Sequence, residues 1–239
     1  MPKVHRIMPT LVSGGLGRSQ REGAMRHLTH TVLLALAIAL GAASVAGAHN
    51  AQQGHSGAVL TPSRPVLVGE AWAQLYSLPI SENPFFGNGS PCLTVGHHAI
   101  NVVEGGSCTV TQGTAIMLLL GTAYSNVEDP FPPDEASQRA VAFAADQAVS
   151  EIHVTVDDDE PVDIRTPRFE LFSPQRTVQL PADNTLGVPP QTVTLTAHGW
   201  STLIRNLRPG PHTIVIDAVW NGGPAVFPFS VTVVRAGHH

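Results

Sequence analysis

The 239-residue chain carries 13 Lys and Arg residues against 18 Asp and Glu residues, and every cation after Lys3 is an arginine. The first 48 residues hold five of those cations and only one acidic residue, so the rest of the chain carries a net charge of about −9. Nucleic acids and anionic membranes bind basic surfaces, so this acidic charge disfavours both classes of partner.

An apolar segment near the N-terminus predicts a secretory signal peptide. Arg26 precedes an uninterrupted apolar run from Val32 to Leu40, and Ala46-Gly47-Ala48 supplies the small residues typical of a signal peptidase site. The run is short for a membrane-spanning helix, which needs roughly 20 residues, so an uncleaved anchor is the alternative. Either Met1 or Met25 begins translation. We expect residues 1–48 to be removed and the remainder to be secreted or released into the periplasm or cell envelope.

The two cysteines, Cys92 and Cys108, both follow the leader. In an oxidising compartment they predict one disulfide that closes a loop of about 15 residues, worth roughly 3 kcal/mol in the chain-entropy model. A metal or redox pair is the alternative, but the CxxC spacing and further cysteines are absent from the sequence. No cysteine adjoins the cleavage site, so a lipoprotein anchor is not expected, and nothing after the leader resembles a membrane span.

Composition divides the rest of the chain into three stretches. Residues 49–69 contain Gly, Gln, Ser and Pro without periodicity, which predicts a flexible arm. Residues 70–149 form a disulfide-containing segment that opens with a short helical pattern at Glu70–Tyr76. Within that segment, the run Thr114–Leu120 is apolar throughout, as expected of a central strand covered on both faces. Residues 150–239 are predicted to form a β-sandwich portion that shares one core with the preceding segment.

One convincing helix is predicted at Glu135–Val149. Asp134 is the expected N-cap, and Glu135 falls in the first turn, where the helix dipole favours a negative charge. The helix is expected to pack through an Ala-rich face consisting of Ala140, Val141, Ala144, Ala145 and Ala148.

From Ser150 onward, apolar and polar residues alternate with a period of two, which predicts half-buried strands. The predicted strands are Ile152–Val156, Arg168–Ser173, Thr177–Leu180, Thr192–Ala197, Trp200–Arg205, Thr213–Val219 and Val226–Val234. Turn signals separate them, including His198-Gly199. The expected fold class is therefore mainly β: an antiparallel β-sandwich, Ig-like in its C-terminal half, with one helix and a disulfide-bearing N-terminal segment.

A series of short motifs runs through most of the chain from about Glu70. They are Trp72, Pro79-Ile80-Ser81-Glu82-Asn83-Pro84, the cysteine pair, Gly113 to Leu120, Val156-Asp157, His198-Gly199-Trp200 and Leu207-Arg208-Pro209-Gly210-Pro211-His212-Thr213-Ile214. In this order they resemble an uncharacterised family of bacterial exported β-rich proteins with no assigned activity. The resemblance implies an exported β-rich fold and transfers no active-site residue. Asp158 and Asp159 stand where the family turn usually has Gly.

His49 would become the first residue after cleavage, and this position suggests a copper site. An N-terminal histidine chelates copper through its amine and its ring, and imidazole suits copper well. Candidates for a further ligand are His55, His97, His98, His153, His198 and His212. The alternative is that cleavage leaves an ordinary histidine on the arm, since no spacing defines a ligand set.

The densest group of carboxylates is Asp157-Asp158-Asp159-Glu160 with Asp163. Oxygen ligands of this kind suit calcium, but the glycine and terminal glutamate of an EF-hand loop are missing from the sequence. A charged hairpin tip that discourages pairing between sheet edges is the alternative interpretation.

No catalytic motif names a reaction, because the sequence lacks Gly-x-Ser-x-Gly and cannot fix a separation between two carboxylates. Trp72, Trp200, Trp220 and Phe227 could form a sugar-stacking platform or serve as core anchors. The sequence therefore favours a non-catalytic exported binding module of the cell envelope or extracellular medium, with a polysaccharide or a surface protein as its partner. A metal-binding protein or metal-dependent enzyme, with copper or calcium, is the alternative, and an undetected hydrolase stays open.

Overall fold

The computed structural model describes residues 56–96, 99–102 and 106–237. The predicted leader, His49, His55 and the His97-His98 pair lie outside these ranges. Within the described ranges, no helix is both long and apolar enough to cross a membrane.

The described part of the chain is mainly β, as predicted, with two α-helices. The helices are α1 (Pro65–Ser77) and α2 (Glu135–Asp146). The strands are β1 (Val59–Pro62), β2 (Cys92–Val95), β3 (Ala99–Val102), β4 (Ser107–Thr111), β5 (Ala115–Ser125), β6 (Val149–Val156), β7 (Val162–Asp163), β8 (Glu170–Phe172), β9 (Arg176–Gln179), β10 (Thr192–Arg205), β11 (Gly210–Trp220) and β12 (Gly223–Val234).

Strand β10 is the centre of a seven-stranded sheet, here named sheet 1. One edge of β10 pairs antiparallel with β5 along Leu195–Ile204, and its other edge pairs in turn with β9, β8 and β1. Beyond β5 lie β3, which is parallel to β5, and then β2. A single long strand therefore organises the whole sheet.

The second sheet, sheet 2, has five strands in the order β4-β12-β11-β6-β7. Its centre is the long hairpin of β11 and β12, in which Gly210 lies opposite Val233 and Trp220 opposite Gly223. Strand β4 pairs parallel to β12, whereas the other neighbours are antiparallel. Both sheets are thus mixed rather than purely antiparallel, because β3 and β4 each run parallel to one neighbour.

The main core contains buried apolar side chains from both sheets. It includes Ile116, Leu118, Trp200 and Ile204 from sheet 1 and Ile152, Val154, Ile214, Ile216, Phe229 and Val231 from sheet 2. Residues of the predicted segments 70–149 and 150–239 thus belong to one cluster. Burial of this apolar surface is the main force that holds the two sheets together.

The two helices cover different faces of sheet 1. Side chains alternate between the two faces of a strand, and on β10 the even-numbered Trp200 and Ile204 point into the core shared with sheet 2. Helix α1 packs on the odd-numbered face, where Leu67, Val68 and Ala71 join Leu195 and Leu203 in a second apolar cluster. Helix α2 lies on the even-numbered face of β10, beyond the part that sheet 2 covers, as its bonds to Thr196 and His198 show.

The disulfide between Cys92 and Cys108 is confirmed, and it joins an edge strand of sheet 1 to an edge strand of sheet 2. Cys92 begins β2, and Cys108 is the second residue of β4, with 5.7 Å between their Cα atoms. Within each sheet these strands are held on one side only. The covalent bond therefore ties together the two sheets at edges where hydrogen bonding is incomplete.

Several predictions about the elements are confirmed. The apolar run predicted as a strand at Thr114–Leu120 forms the first half of β5 from Ala115 onward, and this part of the strand is buried on both faces. Asp134 caps α2, because its side chain accepts a hydrogen bond of 2.8 Å from the backbone N–H of Ser137. The start of the predicted helix at Glu135 is also confirmed, but its predicted end at Val149 is wrong, because α2 ends at Asp146 and Val149 begins β6.

The prediction of a flexible arm over 49–69 is wrong for the described residues 56–69. Strand β1 pairs with the last four residues of β10, from Val59 opposite Arg205 to Pro62 opposite Thr202. Helix α1 then begins at Pro65, because proline is well suited to the first position of a helix. The short helical pattern predicted at Glu70–Tyr76 thus belongs to α1, which begins five residues earlier than expected.

The predicted turn at His198-Gly199 is also wrong, since β10 runs through it without interruption. Gly199 lies opposite Gly121 of β5, and a Cβ atom on Gly199 would collide with the backbone of Leu120. The glycine therefore permits a close approach of two strands and does not mark a turn.

Candidate functional site

The described part of the chain has one buried cluster of titratable side chains where α2 meets sheet 1. We name it the His198 cluster, and it consists of Asp146, Glu170 and His198. Nδ1 of His198 lies 2.8 Å from Oδ2 of Asp146, and Nε2 of His198 lies 3.1 Å from Oε1 of Glu170. One imidazole thus links the last residue of α2 to the first residue of β8.

Topology explains why these three residues meet. Strand β8 pairs with the centre of β10, which sets Glu170 opposite Trp200 and Phe172 opposite His198. On the other edge of β10, Thr122 of β5 lies opposite His198, and its N–H donates to Oδ2 of Asp146 at 3.2 Å. Hydrogen bonding by β5 and β10 therefore fixes both the helix end and the ring.

The number of N–H groups on the imidazole restricts which protonation states the His198 cluster can adopt. A neutral imidazole has a single N–H, yet both ring nitrogens of His198 face carboxyl oxygens. Both contacts are hydrogen bonds only when the ring is doubly protonated or when one of the carboxyl groups carries a proton. Burial raises the pKa of Asp146, and the hydrogen bonds from His198 and Thr122 lower it by less.

Three aromatic rings enclose His198. The ring centroids of Phe172, Phe143 and Trp200 lie 4.5 Å, 5.2 Å and 5.3 Å from that of the imidazole. His198 and Asp146 are fully buried, whereas the side chain of Glu170 is 25% exposed. Because both side chains are fully buried, a substrate cannot contact His198 or Asp146.

A second polar network lies along the same side of α2. Gln138 is fully buried, accepts a hydrogen bond from the hydroxyl of Thr196 at 3.0 Å and donates one to the hydroxyl of Thr194 at 3.0 Å. The side-chain amide of Gln175 also donates to Gln138. The buried stripe of α2 is therefore Gln138, Ala142 and Asp146, so the predicted Ala-rich face is wrong.

Asp157, the first residue of the acidic turn, has a structural role. Oδ2 of Asp157 lies 2.7 Å from Nδ1 of His212, and its Oδ1 accepts a hydrogen bond of 2.8 Å from the N–H of Thr213. The other ring nitrogen of His212 lies 2.7 Å from the carbonyl oxygen of Arg208. Asp157 and His212 thus connect the end of β6 to the start of β11.

The remaining candidate metal ligands are spread out rather than gathered. Asp158 is exposed, and Asp159 accepts a hydrogen bond from the hydroxyl of Ser56. Asp163 lies opposite His153 in the backbone register of β6 and β7. Among the described residues, no three His, Cys, Asp or Glu side chains are grouped so that they could hold a metal ion. Calcium at this turn and copper at His49, which lies outside the described residues, stay predictions.

The four aromatic residues considered as a platform do not share a surface. Trp200 is fully buried, and Trp220 and Phe227 pack against the main core. Trp72 is half-buried on α1, and its ring stacks on that of Phe85, with 5.9 Å between centroids and 28° between planes. The surface-exposed partner, Phe85, is a residue that sequence reasoning did not single out.

Comparisons with known proteins do not assign a family. No protein-family profile and no curated protein sequence matches the chain. A solved structure titled "Solution Structure of Amebosin" aligns with 58% of this chain and all of its own at 12% identity, with a TM-score of 0.24. A likeness this weak supports no conclusion about fold or activity.

Proposed function

We propose that this protein is exported and acts in the cell envelope or extracellular medium as a non-catalytic binding protein. The observation that carries the proposal is the burial of the His198 cluster. Its best candidates for acid–base chemistry, His198 and Asp146, are fully enclosed and bond to other residues of the same chain. A general base must reach the proton that it removes from a substrate, so these side chains serve the fold.

Export is supported by the sequence and by the disulfide. Structural disulfides persist in oxidising compartments and are rare in the cytosol of mesophiles, and the bond between Cys92 and Cys108 joins two edge strands. The apolar run at Val32–Leu40 and the small residues that follow it are typical of a cleaved signal peptide. The resemblance to exported bacterial β-rich proteins agrees with this proposal, and an Ig-like organisation of residues 150–239 stays part of it.

Intact mass spectrometry tests the export proposal directly. The full chain, expressed with its own leader in a bacterial host, is collected from the periplasm and the medium under native conditions. We expect a mass that begins at His49 and is two hydrogens below that of the reduced chain. A full-length, reduced protein confined to the cytoplasm would overturn export, and a stoichiometric copper ion would favour the metal-binding alternative.

A second experiment tests binding without catalysis. Purified mature protein is incubated with cell-envelope fractions separated into polysaccharide and surface protein, and both retention and the size of the polysaccharide are measured. We expect retention by one fraction and no change in polysaccharide length. Shortening of the polysaccharide would show a hydrolase, and retention by neither fraction would remove the support for a binding module.

A further inference from the structure

We propose that Phe85, stacked on Trp72, forms a sugar-binding platform for neutral polysaccharide. This inference rests on the proposed function, since it names the ligand class and the contact site of the binding module. The two rings are inclined by 28°, so one face of Phe85 lies against Trp72 and the other face is directed away from it. Phe85 is 43% exposed, so part of its surface is open to a ligand.

The platform is anchored to the interior by α1. Trp72 also meets Tyr76 one turn later in an edge-to-face arrangement, with 6.3 Å between the ring centroids. Tyr76 is buried, and its hydroxyl lies 3.3 Å both from Oε1 of Glu128 and from the carbonyl oxygen of Ala123. A row of three aromatic rings therefore extends from buried to exposed.

Asn83 fixes the loop that carries Phe85. Its side-chain amide donates to the carbonyl oxygen of Leu75 in the last turn of α1 at 2.8 Å, and its side-chain oxygen accepts from the N–H of Phe85 at 3.0 Å. Asn83 is itself 1% exposed. The loop position of Phe85 is thus tied to the same helix that holds Trp72.

The rest of the loop is fixed by Asn88 and Gly89. The side chain of Asn88 donates to the carbonyl oxygen of Ile80 at 3.0 Å. Gly89 has a positive φ of 66°, and a Cβ atom there would collide with the carbonyl oxygen of Glu82. A binding surface that is ordered before the ligand arrives loses little conformational entropy on binding.

The chemistry of this segment selects a neutral sugar. Residues 65–96 contain no Lys or Arg, and their only charged side chains are Glu70 and Glu82. Arg176 of β9, which contacts the start of α1, is paired with Glu70 at 3.7 Å, so the segment itself supplies no cation for an anionic ligand. One face of a pyranose ring presents C–H groups, which suit the partial negative charge of an aromatic face. Ser81 is exposed on the same loop, and the side-chain oxygen of Asn88 is not used in its bond to Ile80, so both can exchange hydrogen bonds with sugar hydroxyls.

The test compares two exposed phenylalanines. Wild-type mature protein, Phe85→Ala and Phe131→Ala are mixed with insoluble cellulose, insoluble chitin and starch granules, and the bound fraction is measured against polysaccharide concentration. Phe131 is 64% exposed and has no part in the stack, so it is a matched control. We expect binding to at least one polysaccharide, weakened about tenfold by Phe85→Ala, equivalent to about 1.4 kcal/mol, and unchanged by Phe131→Ala.

Two further variants separate the ring face from the fold of the loop. Phe85→Trp keeps an aromatic face and is expected to retain binding, whereas Phe85→Leu keeps apolar bulk and is expected to lose it. Circular dichroism and the midpoint of thermal unfolding check that each variant is folded. If Phe85→Ala does not fold, the Leu and Trp pair decides the proposal.

The possible outcomes distinguish failure of the proposed platform from failure of the proposed binding function. Equal binding by wild type and Phe85→Ala overturns the platform but keeps the binding module. Equal loss in Phe85→Ala and Phe131→Ala shows non-specific adsorption and also overturns it. If wild type binds no neutral polysaccharide, the ligand class is wrong; sedimentation velocity then shows whether Phe85 mediates self-association, and retention by the envelope protein fraction tests the proposed function separately.

Discussion

Asp146 and His198 are 52 positions apart in the sequence, yet both are fully buried and their side chains lie 2.8 Å from each other. The contact joins the end of α2 to the centre of β10, where the strand is already held by β5 and β8. The carboxylate of Glu170 lies 3.1 Å from the other ring nitrogen of His198. The helix, the central strand and a short outer strand therefore depend on one imidazole.

His198→Ala is expected to destabilise the protein strongly. Removing one partner of a buried pair leaves the other without its hydrogen bond, which typically costs about 3–5 kcal/mol. The free energy of unfolding, measured with urea, checks this value. His153→Ala is the control, since His153 is half-buried and lies on the outer side of β6; an equal loss in both variants would contradict a special role for His198.

Two buried carboxyl groups are expected to make stability depend on pH. Burial raises the pKa of Asp146 and of Glu128 above their ordinary values. A group whose pKa is raised by folding binds more protons in the folded state, so its contribution is fully present below the unfolded pKa and is lost as the pH rises through the folded one. We expect the free energy of unfolding to fall over that interval, starting near pH 4, and Asp146→Asn and Glu128→Gln to flatten the slope.

Asp134 supplies a control of opposite sign for the pH measurement. Hydrogen bonds from Ser137 lower its pKa, so its contribution is present at neutral pH and is lost as the pH falls through the folded value. Asp134→Asn should therefore leave unchanged the loss of stability that begins near pH 4 and continues as the pH rises. If this exposed substitution flattens the decline as much as Asp146→Asn does, burial is not its cause.

Removal of the disulfide is expected to lower stability by roughly 3 kcal/mol, the chain-entropy value for a loop of this length. The loop spans 16 positions of sequence, and the bond also ties β2 to β4. The double variant Cys92→Ser/Cys108→Ser and the reduced wild type should unfold at the same lowered urea concentration. A variant as stable as the oxidised protein would show that hydrogen bonding alone holds the two edge strands.

Neighbouring aspartates in the acidic turn are expected to respond differently to substitution. Asp157→Ala leaves His212 and the N–H of Thr213 without their shared acceptor, which should cost about 1–3 kcal/mol. Asp158 is exposed, so Asp158→Ala should change the free energy of unfolding by at most about 0.5 kcal/mol. Urea unfolding with and without calcium checks both; stabilisation by calcium that Asp158→Ala abolishes would instead support a calcium site.

The sequence predicted features that depend on local pattern. The apolar run of β5, the Asp134 cap and the disulfide all follow from neighbouring residues or from the number of cysteines. Strand β1 could not be predicted in this way, because it has four residues, ends with Pro62 and is defined by a partner near Arg205. Strand β1 forms because it pairs with β10, not because its own residues have a high β-propensity.

The His198 cluster could not be predicted from the sequence. Its residues come from elements that are far apart in the chain, and polar residues take positions where the pattern of apolar and polar residues predicts exposure. Helix α2 turns Gln138 and Asp146 inward, whereas the expected face, Ala140 with Ala144, is exposed. Buried polar residues are rare unless they are hydrogen-bonded, and their partners on β10 could not be identified from helical spacing. Phe85 was missed because nothing in the sequence shows that Asn83 holds the loop against α1.

The position of β10 determines when the protein can fold. Strand β1 precedes its partner by about 140 residues, as the hydrogen bond from Thr202 to Thr61 spans 141 positions. Likewise, the longer paired edge of β5 has no partner until Leu195–Ile204 of β10 has been synthesised. Contacts of such long range slow folding, so an emerging chain exposes unpaired strands until nearly all of it has been synthesised. If the chain is exported as proposed, folding that is deferred in this way would keep it unfolded during passage through a translocation pore.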